Sequence, residues 1–256
     1  MMQIDLNCDL GESFGRYSLG EDEAMLRVVT SANIACGLHA GDPQVMARTV
    51  ALARQNGVAV GAHPGYPDLQ GFGRREMSLA PDELESCILY QLGALGAFTR
   101  AAGAPLVHVK PHGALYNTVA RDNRLAGAVA RAVAAFDAYL VVVTLPNSAL
   151  EQAARSLGLR VAREGFADRA YQMDGSLAPR AQPGAVIHDP ARVAERAVRM
   201  VKHGEVLTVD GQALGLRVDT LCIHGDTPGA AGIATLLRAA LEEAGVQIVP
   251  LTQVIE

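Results

Sequence analysis

Six short polar motifs contain most of the residues that could carry out chemistry. The motifs are DLNCDLGES (5–13), NIACGLHAGD (33–42), GAHPGYPD (61–68), VKPHGALYN (109–117), EGFADR (164–169) and CIHGD (222–226). They hold four of the seven histidines in the chain, several acids and one of only two lysines. Imidazoles and carboxylates brought together can exchange protons with a substrate or hold a divalent cation. The sequence therefore predicts a site for acid–base or metal-assisted chemistry.

Asp9, His63 and His112 form one candidate set of metal ligands. A carboxylate and two imidazoles that leave a coordination position open are a common ligand set for a catalytic cation. The three residues come from separate motifs, however, and have no diagnostic spacing. Each histidine could instead be hydrogen-bonded in a loop at the rim of the fold. The sequence alone leaves metal binding open.

Lys110 is conspicuous because the chain has only one other lysine, Lys202, against twenty arginines. It ends an apolar run inside KPHG, where it could donate to a developing oxyanion or a phosphoryl oxygen. It could also act as a base if burial lowered its pKa. The alternative is a structural salt bridge with an acid such as Asp9 or Asp226. Lys202 lies at a predicted helix end, where capping is its expected role.

The motifs follow predicted strands that alternate with predicted helices. The strands are QIDLNC, ANIAC, GVAVGAH, PLVHVK, YLVVV, LRVAR, TLCIHG and VQIVPL. The helical stretches are 22–29, 43–55, 81–102, 121–136, 148–157, 190–202 and 229–243. Strands joined by helices pair in parallel, in a closed barrel or an open doubly wound sheet. Because the polar motifs follow many strands, we expect a parallel β/α barrel of seven or eight strands, in one domain spanning residues 1–256.

The segment 164–188 departs from this alternation, since it carries several Gly and Pro residues and has no clear period. Long connections without their own secondary structure are often lids or binding loops in compact domains. We therefore expect this segment to form part of the site.

Composition excludes several classes of function. The formal charge is −5 and the acids are scattered, which argues against a surface for nucleic acid. The apolar stretch 126–145 is interrupted by Arg131 and Asp137, so no membrane span is expected. The four cysteines are far apart, form no CxxC pair and follow no secretory signal, which favours a reducing, cytoplasmic location. We expect them to serve packing rather than nucleophilic catalysis.

Nucleotide-binding motifs are missing from the sequence. There is no GxGxxG, and neither lysine is followed by Ser or Thr as a P-loop requires. If ATP is used, another kind of site or another subunit must hold its phosphates.

The six motifs, together with GFGRR (71–75), resemble the LamB/YcsF family from about residue 3 to residue 252. The resemblance implies a β/α barrel of the kind found in glycoside hydrolases and polysaccharide deacetylases. It also implies a role as the A subunit of an ATP-dependent 5-oxoprolinase, which opens the lactam of 5-oxoproline to L-glutamate. The implied partners are subunits B and C, and the implied co-substrate is ATP, with a divalent cation such as Mg²⁺ as a further option. A homo-oligomer is left open.

The resemblance also suggests roles for individual residues. His63 or Asp9 would activate water, and Lys110 and His112 would stabilise the charge on an oxyanion or phosphoryl group. A guanidinium from the long segment would bind the substrate carboxylate, either Arg169 or Arg180. The other expected pocket residues are Asn7, Glu12, His39, Arg74, Glu164, Asp168, His224 and Asp226.

Two other functions fit the same residues. The chain could be a stand-alone metal-dependent hydrolase or deacetylase, which chelation would inactivate. It could also be a non-catalytic binding subunit whose motifs serve only ligand binding. The discriminating result is whether variants of the pocket still assemble and bind but lose turnover.

Overall fold

Seven parallel strands close into a barrel in the computed structural model, which describes residues 2–179, 182–223 and 229–255. The strands follow one another around the barrel and the last pairs with the first, so these seven strands form a closed ring. They are β1 (Met2–Leu10), β2 (Ser31–Ala35), β3 (Ala59–His63), β4 (Leu106–Val109), β5 (Val141–Thr144), β6 (Arg160–Phe166) and β9 (Thr220–Cys222). The predicted parallel β/α barrel is confirmed.

Three further strands lie outside this closed ring. β10 (Val246–Ile248) pairs in parallel with the first residues of β1, ahead of the segment that pairs with β9. β7 (Glu205–Leu207) and β8 (Ala213–Gly215) form a separate antiparallel pair. All eight predicted strands are present, whereas β7 and β8 were not predicted.

Helices connect the strands and cover the outside of the barrel. They are α1 (Asp22–Met25), α2 (Pro43–Gln55), α3 (Pro81–Ala102), α4 (Gly113–Arg121), α5 (Asn123–Phe136), α6 (Ala149–Ser156), α7 (Pro190–His203), α8 (Ala230–Glu243) and α9 (Leu251–Val254). The prediction of one helix over 121–136 is wrong at its start, because Asp122 ends α4 and caps α5 by accepting from the N–H groups of Arg124 and Leu125. α4 itself was missed because its first residues belong to a polar motif. None of the helices within the described ranges is long and apolar enough to cross a membrane.

Strand β1 shows how the sequence divides the inside of the barrel from the outside. Its even-numbered residues from Ile4 to Leu10 are apolar, fully buried and part of the main hydrophobic core. The odd-numbered residues Asp5, Asn7 and Asp9 alternate with them, and their side chains bond to β2 and β9 across the barrel interior. Since side chains alternate along a strand, one strand supplies both the core and the polar interior.

Candidate active site

A cavity of about 770 Å³ opens where the barrel strands end, and we call it the central cavity. Its volume lies within the range of roughly 300–1,000 Å³ that is usual for small-molecule sites. Part of its wall comes from the β6–α7 loop, residues 167–189, as expected for the irregular segment. Seven of the predicted site residues line it: Asp9, Glu12, His63, Arg74, Lys110, His112 and Arg169.

Lys110 follows β4 and bonds to two carboxylates. Its Nζ lies 2.8 Å from Oδ1 of Asp9 and 2.9 Å from Oε1 of Glu164. The lysine side chain is 3% exposed and that of Glu164 is not exposed at all. The salt bridge that the sequence offered as an alternative is therefore present, at a point that also borders the cavity.

The charge states of Lys110 and Asp9 follow from their contacts. Burial alone would lower the pKa of Lys110, but the carboxylates of Asp9 and Glu164 outweigh burial and hold that pKa well above its usual value. Burial would raise the pKa of Asp9, but its contacts with His63 and Lys110 hold that pKa well below the usual range. Lys110 is thus a cation and Asp9 an anion at neutral pH, which argues against Lys110 as a base.

Three histidines meet beside Asp9. Nε2 of His63 lies 3.3 Å from Oδ2 of Asp9 and 2.9 Å from Nδ1 of His112. The rings of His39 and His112 are stacked, with centroids 3.9 Å apart and planes within 6°. Burial lowers the pKa of His112 to about 3 and that of His39 well below its usual value, so both rings are neutral at neutral pH.

The three histidines, together with Glu12, could hold a metal ion. Glu12, His39, His63 and His112 each offer one ligand atom, and these atoms all lie within 4.8 Å of one another. The four include two of the predicted ligands, His63 and His112. The third predicted ligand, Asp9, lies next to the group.

A polar layer that was not predicted positions Asp9. Asp9, Asn33, Gly61 and His108 are register partners on neighbouring strands from β1 to β4. The Nδ2 of Asn33 donates to Oδ1 of Asp9 at 2.8 Å and to Oδ1 of Asn7 at 2.7 Å, while Oδ1 of Asn33 lies 2.7 Å from Nε2 of His108. Because that oxygen can only accept, His108 carries its proton on Nε2 and fixes the orientation of the amide.

Gly61 makes room for this contact. A methyl group in place of its hydrogen would overlap the His108 ring. A glycine inside a strand often marks such a close approach, and here it was the sequence signal for His108.

Asp5 anchors a second polar layer deeper in the barrel. Its carboxylate accepts from the hydroxyls of Thr30 at 2.8 Å, Ser31 at 2.7 Å and Thr220 at 2.6 Å. Thr220 in turn accepts from Nδ2 of Asn7 at 2.7 Å, which connects this layer to the one that holds Asp9. Burial raises the pKa of Asp5 to about 6 despite the three donors.

Arg169 holds the β6–α7 loop together. Its guanidinium donates to the carbonyls of Ala178 at 2.7 Å and Ala185 at 3.3 Å, and the side chain is buried. These contacts fix the part of the loop that lines the central cavity. A role for Arg169 in binding a substrate carboxylate stays a prediction.

The other predicted site residues lie deeper or elsewhere. Three are buried without lining the central cavity: Asn7, His39 and Glu164. Asp168 borders a separate cavity of about 130 Å³. Three more predictions lie outside the described residues: Arg180, His224 and Asp226.

The cysteines at the strand ends are buried thiols. Cys8, Cys36 and Cys222 all belong to the main core, as packing residues should. Burial raises the pKa of Cys36 to about 12 and raises those of Cys8 and Cys222 well above the usual value. Since the thiolate is the nucleophile, the raised pKa values argue against a nucleophilic role for these thiols.

Comparison with known proteins assigns the family. The model of the LamB/YcsF family matches residues 4–256. A protein named as the A subunit of 5-oxoprolinase from Pyrococcus abyssi (strain GE5 / Orsay) is 58% identical, over 98% of this chain and 98% of the relative. One of the same name from Syntrophobacter fumaroxidans (strain DSM 10017 / MPOB) is 57% identical, over 98% of this chain and 99% of the relative.

Solved structures show the same relationship. The crystal structure of a lactam utilization protein from Thermus thermophilus superposes with a TM-score of 0.93 at 52% identity, covering 97% of this chain and 99% of that one. A T48 deacetylase shares the fold alone, with a TM-score of 0.52 at 13% identity over 99% of this chain and 90% of the other. The chain belongs to the LamB/YcsF family.

Proposed function

We propose that this chain is the A subunit of an ATP-dependent 5-oxoprolinase, a hydrolase that opens the lactam of 5-oxoproline to L-glutamate. The observation that carries the proposal is the buried Lys110 ammonium beside Asp9 on the wall of the central cavity. The names of the relatives at 58% and 57% identity, and of the lactam utilization protein, supply the substrate class.

The chemistry follows from the weakness of a lactam as an electrophile. Transfer of the γ-phosphoryl group of ATP to the amide oxygen releases ADP and activates the carbonyl carbon. Water then adds to that carbon and the C–N bond breaks, with a proton delivered to the nitrogen. The resulting acyl phosphate is hydrolysed by a second water to the carboxylate and phosphate. A cavity of about 770 Å³ has room for a small lactam and an additional phosphoryl group.

The charge of each residue suggests the step of the proposed reaction in which it takes part. Lys110, held as a cation, stabilises negative charge on the former amide oxygen or its phosphoryl group. Asp9 or His63 takes the proton of the attacking water, since both border the cavity. His112 contributes to charge stabilisation, and Arg169 or Arg180 binds the substrate carboxylate. A divalent cation, if present, would supply Lewis-acid polarisation at the histidine cluster.

Partner subunits complete the proposed enzyme. The chain has no P-loop, so subunits B and C, or a site formed with them, would hold ATP for the phosphoryl transfer. The four free cysteines suit a cytoplasmic enzyme.

Glutamate release tests the proposal directly. The purified chain is assayed with 5-oxoproline and ATP, first alone and then with the candidate subunits B and C. We expect glutamate and ADP in a one-to-one ratio only in the full mixture. No glutamate from a mixture shown to assemble by gel filtration would overturn the proposed substrate.

The histidine cluster gives a stand-alone metal-dependent hydrolase its own support. That alternative predicts turnover of an amide or acetyl ester by the isolated chain, without ATP and abolished by chelation. If the chain is instead a non-catalytic binding subunit, Lys110→Met in the full complex will leave the rate of glutamate release unchanged.

A further inference from the structure

The hydrogen bonds of His63 and His112 determine which ring nitrogens carry protons. Nδ1 of His63 lies 2.7 Å from the carbonyl oxygen of Lys110, and Nε2 of His112 lies 2.8 Å from the carbonyl oxygen of Phe72. A carbonyl oxygen only accepts, so each of these outer nitrogens carries the proton of a neutral ring. The inner nitrogens, Nε2 of His63 and Nδ1 of His112, are left with lone pairs.

These two lone pairs face each other across 2.9 Å. A hydrogen bond there needs a second proton on one ring, which Oδ2 of Asp9 at 3.3 Å from Nε2 of His63 could also accept, because two neutral rings have no proton to donate. A cation close to both nitrogens removes the repulsion. With metal–nitrogen distances of about 2.05 Å, two ligands of one ion are separated by about 2.9 Å at a right angle and by about 3.3 Å at a tetrahedral angle, so the observed spacing is close to what one shared ion requires.

The backbone at Phe72 supports this interpretation. Its φ is +55°, a left-handed conformation that is costly for a residue with a side chain. That conformation accompanies the contact of its carbonyl with the outer nitrogen of His112. Metal-binding histidines generally donate their other N–H to a carbonyl or a carboxylate, and here both His63 and His112 do so.

His39 supplies an independent observation. Its side chain is fully buried, yet within the described part of the chain neither ring nitrogen has a hydrogen-bond partner. Leaving a buried polar nitrogen unsatisfied is costly, and such a group calls for a ligand. The ring stacks on His112, and one of its nitrogens lies within 4.8 Å of the ligand atoms of the other three residues.

We infer that Glu12, His39, His63 and His112 form a site for one divalent transition-metal ion, of the class of Zn²⁺, Fe²⁺, Mn²⁺ or Co²⁺. Three imidazoles and one carboxylate favour these ions over Mg²⁺, which prefers oxygen ligands. Asp9 is adjacent but its Oδ1 is already bonded to Lys110 and Asn33. The inferred site keeps His63 and His112 from the ligand set expected from sequence. It has Glu12 and His39 in place of Asp9. It leaves Asp9 as the base of the proposed reaction.

Metal binding by the isolated chain tests the inference without any substrate, so its outcome is independent of the proposed 5-oxoprolinase activity. The protein is dialysed against a chelator and titrated with Zn²⁺ and with Co²⁺ by calorimetry, and its metal content is measured by mass spectrometry. We expect one ion per chain and a visible Co²⁺ absorption spectrum. In His63→Gln and His112→Gln the affinity should fall by more than about 100-fold, since even residues behind the ligands contribute about 10–100-fold.

Two further variants control for general effects. His203→Gln changes an exposed histidine at the end of α7 and should bind metal like the native chain. Glu12→Gln is the milder change in the site if a histidine variant fails to fold by circular dichroism. Failure of the metal-free chain to bind Zn²⁺ or Co²⁺ stoichiometrically would overturn the inference. So would equal binding by the folded His63 and His112 variants, or an NMR proton shared between the two rings that persists in excess metal.

Discussion

Replacing Lys110 by methionine should both destabilise the protein and abolish turnover, for separable reasons. Methionine retains much of the length and apolar stem of lysine but removes the ammonium that bonds to Asp9 at 2.8 Å and Glu164 at 2.9 Å. Glu164 is completely buried, whereas the side chain of Asp9 is 17% exposed and keeps its contacts with Asn33 and His63. Removal of the ammonium should therefore destabilise the protein mainly by leaving the buried carboxylate of Glu164 without its ion-pair partner.

The expected cost is a large part of the stability of the domain. Removing one partner of a buried ion pair costs about 3–5 kcal/mol, because the other charge stays buried without compensation. A typical domain unfolds with about 5–15 kcal/mol. Adding Glu164→Gln to Lys110→Met removes the stranded charge, and we expect it to restore about 2 kcal/mol of the free energy of unfolding.

Urea denaturation of the native chain, the two single variants and the double variant measures this coupling as a double-mutant cycle. Lys202→Met is the matched control, since Lys202 is exposed and donates to a single carbonyl, that of Ala244. The control should change stability by less than about 1 kcal/mol. Turnover is measured in parallel as glutamate release in the assembled enzyme.

Stability and turnover should respond differently to the second substitution. The double variant should regain stability but not activity, since neither variant provides a cation for the developing charge, and the rate should stay about 100- to 1,000-fold low. If Lys110→Met unfolds at the same urea concentration as the native chain, Glu164 is not a stranded charge and the electrostatic reasoning is refuted. Native turnover by the same variant would refute the catalytic role.

Three other changes probe the barrel interior and the cavity wall. Because burial raises the pKa of Asp5 to about 6 from 3.8 in the unfolded chain, the folded state binds more protons between these values, and stability should fall by about 3 kcal/mol as pH rises through this window. Asp5→Asn should flatten that slope in urea melts taken from pH 4 to pH 7. Gly61→Ala should displace His108, cost about 1–3 kcal/mol in thermal unfolding and lower turnover, while Gly93→Ala, where a methyl group meets open space, should not destabilise. Arg169→Gln should speed proteolysis of the β6–α7 loop about tenfold, because it removes two side-chain hydrogen bonds that reinforce the backbone bonds within the loop; an unchanged cleavage rate would contradict that role.

The fold could be predicted because local signals agree with its topology. Asp42 and Asp189 directly precede the predicted helices 43–55 and 190–202, and the side chain of each accepts from backbone N–H groups of the first turn, two for Asp42 and one for Asp189. Gly103 follows a helix in the left-handed conformation that its position predicts. The sequence could not determine how many strands close the ring. That number depends on the point along β1 at which its pairing partner changes from β10 to β9.

The site was predicted in outline but not in its connections. The ends of parallel strands share one face, so Asp9, His63 and Lys110 could be expected together from motif position alone. The contact between His108 and Asn33 depends instead on strand register, which places the two on either side of Gly61. The register between strands that are far apart in sequence leaves no periodic pattern in the sequence. Gly61 is the residue that could have indicated the contact between His108 and Asn33.

The electrostatics of Asp9 bear on which reaction this cavity suits. A carboxylate whose pKa is held well below its usual range is a weak base, and a weak base activates water poorly against an unactivated amide. Such a base is sufficient when the electrophile has been activated first, as a phosphorylated lactam is. His63 and Lys110 together lower the pKa of Asp9, and the contact with Asp9 in turn keeps Lys110 charged, where it would stabilise the phosphoryl oxygens. Within the proposed function, the Asp9–Lys110 pair therefore suits ring opening of an activated lactam better than direct hydrolysis of an unactivated amide.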